Sequence, residues 1–574
     1  MRRWVTVTEG ATLATLLAIA GTIVTGYRFG DSNHGITIPI LKRLMDPALY
    51  PGDVMVATAE KFPTIFYRAL ALVLPGTGAI PVAFFVLYVI AIAATLAGAY
   101  RIGRWAGGPW AGLLCLLFAI PVRIGLAGEA LYRVAFSHSH LASALTIWAI
   151  VWFLEGRRAL PLLLLSLGAY NHLLYSVYVL VPMALVVVWE GRESRDRRRT
   201  AILLALAVVP LLPLVIWTLA HGAPMTAEWL DLLRLRSAHH SFPSFFGADL
   251  PDAAALLALA VLAASRAPED RKRIFALFLA ATAVQFVLGT IFTEYWPLKA
   301  MLQYQPHRVW RFVVLLLRAM AAVGIVDGYR AGGLARGAGI STGVILFLPG
   351  LEALLPFAVF AQAAAGAPVA APWARLLAVA IIASITGWDD RPVVDTLTNE
   401  NIRLLMHPVV LASAALAIMI AVARDLGPRA RQGLVASAAV LTVAALLPYS
   451  YYVARVRWES GSWRAAQNWV RENTPRDAVI LTPPKEAGFR VFSERTIVGE
   501  WKDGTQQYFD DAFVREWGAR MEILGDEYAK LPDDQLLALA HRFGARYVVA
   551  PRRNRPRALP RLYDNPGFEV YAVQ

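Results

Sequence analysis

The sequence predicts an α-helical polytopic membrane protein that ends in a small α/β domain, and three observations predict it. Of 574 residues, 57% are hydrophobic and 17% charged, with mean hydropathy +0.51, a composition outside that of soluble globular domains. The apolar residues gather in runs of spanning length, separated by basic clusters such as "RESRDRRR" at 192–199 and "RAPEDRKR" at 266–273. From about Val456 the long apolar runs stop, and amphipathic helices alternate with short β-rich stretches.

The basic clusters account for the formal net charge of +14 as topology signals, so the expected partner is the lipid bilayer and not nucleic acid. The single cysteine, Cys115, sits in an apolar run, which excludes an intrachain disulfide and a cysteine-based metal site. The stretch after "MRR" lacks a cleavage site and reads as a retained signal anchor with a cytoplasmic N-terminus.

Spans are expected at 9–27, 80–99, 110–127, 140–156, 200–220, 252–265, 274–293, 310–327, 369–386, 408–423 and 434–453. The run 160–191 is too long for one crossing and has basic clusters at both ends, so it must turn back near Tyr170, Asn171 and His172. A second hairpin is expected in 340–366, breaking at Pro349 and Gly350. The total is about 13–15 crossings. All the basic clusters then fall on one side, and the first outer loop 28–80, the later outer loops and the tail fall on the other.

The chain thus divides into a transmembrane domain, 1–455, and a C-terminal α/β domain, 456–574, predicted to lie in the periplasm of a bacterial inner membrane protein. In the tail, helices are expected at "SWRAAQNWVREN", "DDAFVREWGARMEIL" and "PDDQLLALAHRF", and strands at "AVIL", "RTIVGEW", "ARYVVAP" and "FEVYAV".

Polar residues concentrate in the outer loops. Asp31, Asn33 and His34 follow the first span, ahead of "ITIPILKRLM", whose pattern fits an amphipathic helix at the membrane surface. "GEALYRVAFSHSH" supplies Glu129 and Arg133, spaced i, i+4 as for a helical ion pair. "GTIFTEYWPLKAMLQYQPHRVWRF" supplies Glu294, His307, Arg308 and Arg311, and an arginine fork suits a phosphate or diphosphate. His172 stands at the hairpin turn.

Together the acid-bearing first outer loop, the many spans, the polar outer loops and the outer α/β tail resemble the GT-C superfamily of membrane glycosyltransferases. "WRAAQNWVRENTPRDAVI" is similar to the opening of the soluble domain of oligosaccharyltransferase catalytic subunits, and "TIFTE" at 290–294 to their Thr/Ser-Ile/Val-x-Glu motif. The WWDYG signature is missing, replaced by "TPPKEAGFRVFSERTIVGEWKDG" at 482–504, and "FGDSNH" offers one acid where a pair is common. The tail also resembles that of large uncharacterised bacterial membrane proteins in which FR.FS.R and W.D recur.

The resemblance implies an inverting transfer from a polyprenyl-(di)phosphate-linked sugar to a glycan, lipid or protein acceptor, at the periplasmic face. It implies Asp31 as general base, with Glu294 or Glu129 to orient the acceptor or hold a divalent cation in the catalytic site. Substrate contacts are expected at Asn33, His34, Glu129, Arg133, His172, His307, Arg308 and Arg311. No cofactor is fixed by the sequence; a divalent cation, Mg or Mn, stays open, with Asp31 and Glu129 as candidate ligands. A non-catalytic transporter or flippase of a lipid-linked substrate, and a scaffold with a partner-binding tail, are the alternative readings.

Overall fold

A computed structural model describes residues 2–22, 26–62, 64–221, 224–247, 249–348, 351–365, 444, 447–459, 461–553 and 557–573. The spans expected at 369–386 and 408–423, and most of 434–453, lie outside the described residues. Among the described residues, five helical stretches are long and apolar enough to cross a membrane: Thr77–Gly107, Leu173–Ser194, Arg197–Thr218, Glu269–Tyr295 and Lys299–Ala331. Shorter apolar helices occupy Pro109–Ala119, His138–Leu154, Ala159–Gly168, Gly333–Phe347 and Leu355–Ala364.

The first expected hairpin is present: helices Ala159–Gly168 and Leu173–Ser194 are joined by a turn at 169–172, where the His172 side chain caps the second helix. The long helix Trp310–Ala331 runs through the middle of the bundle, with every residue from Arg311 to Ala322 buried. Such all-round burial is what an apolar helix without a polar face requires.

The C-terminal unit is a five-stranded sheet with helices on it. Its strands are β1 (Val479–Leu481), β2 (Thr496–Ile497), β3 (Tyr547–Pro551), β4 (Arg561–Asp564) and β5 (Phe568–Ala572), in the order β2-β1-β3-β5-β4. β1 is parallel to β2 and β3, while β5 runs antiparallel to β3 and β4. Helices Ser462–Asn473, Asp511–Leu524 and Asp533–Arg542 lie where the sequence predicts them. β4 was not expected; its mostly exposed sequence, RLYD, has no alternation of buried and exposed positions.

This unit is packed on the loops that the sequence predicts to be outer ones. Ile36, Ile40, Tyr50 and Met55 of the first loop, and Trp229 and Leu233 of the helix Ala227–Ser241, share one apolar cluster with Phe513, Val514 and Trp517. The helix His34–Met45 therefore differs from the expected surface helix: all nine residues from His34 to Lys42 are buried, because the α/β unit covers the face meant for solvent.

Candidate active site between the first outer loop and the tail domain

Asp31 lies in the turn before the helix His34–Met45, its carboxylate 47% exposed. One oxygen accepts the Ser32 N–H at 2.6 Å, and Arg28 stands 3.4 Å from the other. His34 is buried behind this turn: its Nδ1 accepts the Gly30 N–H at 2.9 Å, and its Nε2–H donates to Phe136 O at 2.5 Å. Burial holds its pKa down at about 4, so the neutral ring braces the loop. Asn33 is half-buried at the first turn of the helix.

The tail fixes the same turn from the other side. Gly30 and Gly488 both have positive φ, +91° and +84°, and a Cβ on Gly488 would stand 2.4 Å from Gly30 O. Only glycine permits this approach. Beyond it, Arg490 is fully buried and donates to Asp53 at 2.7 Å and to both oxygens of Asp503 at 2.9 Å, with Glu500 at 3.9 Å. Asp53 also caps the helix Val54–Ala57 through the Met55 and Val56 N–H groups. Burial works against the Arg490 charge, but Asp503, Asp53 and Glu500 outweigh it and raise its pKa. Burial, and then the Asp503 charge, push the Glu500 carboxyl above the usual carboxylate range.

Glu129 departs from the expected pairing. The segment around it is a short 3₁₀ turn and extended chain, not an α-helix, so Arg133 is not on its face. Its carboxylate instead takes Arg308 Nε at 2.5 Å and Arg311 Nε, while Arg133 donates to Gly128 O at 2.6 Å. Burial raises the Glu129 pKa, yet the two guanidinium groups overcome this and leave it below the ordinary value. Arg311 also lies 4.6 Å over the Tyr175 ring, and Tyr175 stacks at 3.8 Å on His172. Below this pair is a cavity lined by Arg123, Glu129, Tyr132, Arg311 and Arg318.

His307 is buried, 3.2 Å from Thr290 Oγ1 and edge-on to Phe246 and Phe286. Glu294, in a π-helical turn, accepts the Ser244 N–H at 2.7 Å; no hydrogen bond or ion pair among the described residues joins it to Asp31.

Four residues that sequence reasoning did not select complete the site. Arg236 donates to Trp501 O at 3.0 Å, beside Lys502. His240 bonds Ala127 O at 2.8 Å, and the His239 and His240 rings crowd Gly128. Lys502 is half-buried; burial first, then Arg236 and Arg133, lower its pKa to about 8, while Glu500 and Asp31 act the other way. His239 is lowered by burial and by Arg236, Arg133, Arg308 and Lys502. A strip of cations in electrostatic reach of one another thus runs from Arg311 and Arg308 past Arg133 to Arg236 and Lys502, where the Asp31 carboxylate acts on Lys502. A lysine beside an aspartate, as in "EWKDG", reads as surface, so the signal for Lys502 was weak.

The strip suits an anion. Both Glu129 oxygens are taken by guanidiniums, so this carboxylate is not free to ligate a divalent cation.

Set against known proteins, residues 461–524 match a family model described as a domain of unknown function, DUF6798. No curated protein matches the chain. Among solved structures, it is similar to the archaeal oligosaccharyltransferase AglB from Archaeoglobus fulgidus, in complex with an inhibitory peptide and a dolichol-phosphate, at 14% identity and TM-score 0.35, covering 94% of this chain and 69% of that one. It is also similar to ArnT from Cupriavidus metallidurans, at 14% identity, covering 98% of this chain and 97% of that one, with TM-score 0.42 in the apo state and 0.39 bound to undecaprenyl phosphate. At these scores the likeness carries no argument about activity.

Proposed function

We propose that the protein is a membrane glycosyltransferase that uses a polyprenyl-phosphate-linked sugar, with Asp31 as general base. The observation that carries this reading is a half-exposed carboxylate, fixed in an outer loop by His34, Gly30 and Gly488, at one end of a strip of cations. A hydroxyl is a poor nucleophile until its proton is taken, and a phosphate leaving group needs its developing charge met.

Asp31 takes the acceptor O–H proton as that oxygen bonds to the anomeric carbon. The bond from that carbon to the phosphate oxygen breaks on the opposite face, inverting the centre, and the electron pair leaves on the lipid phosphate. Arg308 and Arg311 hold the phosphate end; Glu129 sets their forks in place and is a positioning residue. The sugar lies between, near His172 and Tyr175. Such an enzyme acts at the outer face of a bacterial inner membrane, and its two arginines supply positive charge at the leaving phosphate.

The test is release of polyprenyl phosphate from a panel of polyprenyl-phosphate sugars by the purified protein in lipid nanodiscs, with water standing in for the acceptor hydroxyl and taking the sugar as the free reducing sugar. Wild type discharges at least one donor, and Asp31→Asn, with unchanged elution and thermal midpoint, does not. Full discharge by Asp31→Asn overturns the assignment.

A further inference from the structure

The strip holds more positive charge than a lipid-phosphate donor requires. Arg308, Arg311, Arg133, Arg236 and Lys502 face two carboxylates, Glu129 and Asp31, and a phosphodiester brings a single negative charge. The excess is not evenly spread. Arg308 and Arg311 share Glu129, whereas the hydrogen bonds of Arg133 and Arg236 end on the carbonyls of Gly128 and Trp501. No carboxylate among the described residues stands within ion-pair distance of Arg133, Arg236 or Lys502.

These three come from separate parts of the chain that meet at one point. The Gly128 turn of the Arg133 loop touches His239 and His240 on the helix Ala227–Ser241, and the same helix reaches Trp501 through Arg236. Bringing three like charges together costs free energy: burial first, and then Arg236 and Arg133, weaken the hold of Lys502 on its proton. Glu500 and Asp503, the other acids in reach, are both buried and committed elsewhere: Glu500 holds the Gly488 N–H at 2.9 Å, and both oxygens of Asp503 take Arg490 at 2.9 Å, so neither supplies the missing charge.

Which substrate brings that charge follows from the geometry of inversion. The attacking oxygen and the leaving phosphate lie on opposite faces of the anomeric carbon, so cations grouped with the base face the acceptor. Lys502 is within electrostatic reach of Asp31; Arg308 and Arg311 are tied to Glu129 at the other end of the strip.

We infer that the acceptor carries a phosphate-type oxyanion close to its reacting hydroxyl, and that Lys502, Arg133 and Arg236 form its binding site. This deepens the transferase reading and rests on it for the identity of the acceptor. The anion brings its oxygens onto the lysine ammonium and the two guanidinium forks, and so sets the hydroxyl against Asp31.

The experiment uses full-length protein in nanodiscs, with inorganic phosphate as acceptor-side probe and farnesyl phosphate as donor-side probe. Wild type is expected to bind inorganic phosphate saturably, in the presence of farnesyl phosphate as in its absence. Lys502→Met should weaken phosphate binding by about tenfold or more, the loss of one charge-assisted hydrogen bond, and leave farnesyl phosphate within about twofold. Lys502→Arg should keep both. Because Lys502→Met removes a repulsive charge, the variant should be at least as stable as wild type, which separates lost binding from lost fold.

Competition between the two probes, or equal weakening of both by Lys502→Met, would show that the cluster serves the donor and overturn the inference. Absence of saturable phosphate binding in wild type would overturn it too. Phosphate binding without farnesyl phosphate binding leaves the anion site standing and removes the lipid-donor reading instead.

Discussion

Arg490 joins the tail to the first outer loop, and its replacement by Met measures how much that junction is worth. The side chain is fully buried and serves Asp53 at 2.7 Å, Asp503 at 2.9 Å through two parallel bonds, and Glu500 at 3.9 Å. Met fills a similar space but leaves three carboxylates without a cation. Removing one partner of a buried pair costs about 3–5 kcal/mol, and here more than one acid is orphaned, so the upper end is expected. Thermal unfolding in nanodiscs, followed by near-ultraviolet circular dichroism, reads this directly.

A pH series adds a sign. Buried carboxylates without a counter-charge bind protons more tightly folded than unfolded, so their contribution is intact at low pH and lost as pH rises. The deficit of Arg490→Met should therefore shrink at pH 5 and grow at pH 8. Glu500 already behaves this way in the wild type, since burial and Asp503 raise its pKa. Arg490→Lys keeps the charge but cannot serve Asp53 and Asp503 together, and should fall between. A cost under about 1 kcal/mol, or one independent of pH, would match an exposed pair and refute the reasoning.

Gly488→Ala would place a Cβ 2.4 Å from Gly30 O at a backbone φ of +84°. Strain of about 1–3 kcal/mol should shift the Asp31 turn and lower donor discharge while the helical circular dichroism stays unchanged. Glu129→Gln should cost about 3–5 kcal/mol of stability, because Arg308 and Arg311 are left buried without their anion; a thermal midpoint equal to wild type would sink that account. Lys502 binds its proton more weakly folded, at about 8, than unfolded, at 10.5, so between these values the unfolded state holds more protons and stability rises with pH. Screening at this half-buried site keeps the gain under about 3 kcal/mol, and Lys502→Met should flatten the rise. Cys115 is fully buried, and maleimide should label it in denaturant and leave it untouched in nanodiscs.

The parts of this fold legible in the sequence are those set by local chemistry. A 32-residue apolar run between basic clusters had to fold back on itself, and it does so at the residues that interrupt it, 169–172. In the tail, helices at Ser462–Asn473 and Asp511–Leu524 and the strands at 479–481, 547–551 and 568–572 follow their apolar periods. What was not legible depends on distant partners. Glu129 looked like the mate of Arg133 four residues on, but its partners stand 179 and 182 residues away, and an i, i+4 rule applies only where a helix forms. The helix His34–Met45 reads as amphipathic because a local pattern cannot say that a domain 450 residues later will cover its polar side.

The tail residues that looked most like a motif explain why. In "FRVFSER" and "EWKDG", Arg490 and Asp503 are the two ends of the buried ion pair, and Arg495 donates to the carbonyls of Arg471 and Thr474. Charged residues so placed are costly inside a protein unless each finds its partner, and the partner that completes this network, Asp53, belongs to the first outer loop. The segment therefore reads as a device for docking the tail on that loop. Docking at Asp53 also brings Gly488 against Gly30 and Lys502 within reach of Asp31. A tail that lacks the acceptor-reading signature of oligosaccharyltransferases still contributes to the site, through one lysine and the position of one turn. Removal of the tail, residues 456–574, should then abolish both phosphate binding and donor discharge, whereas a tail serving as an independent partner-binding module would leave discharge intact.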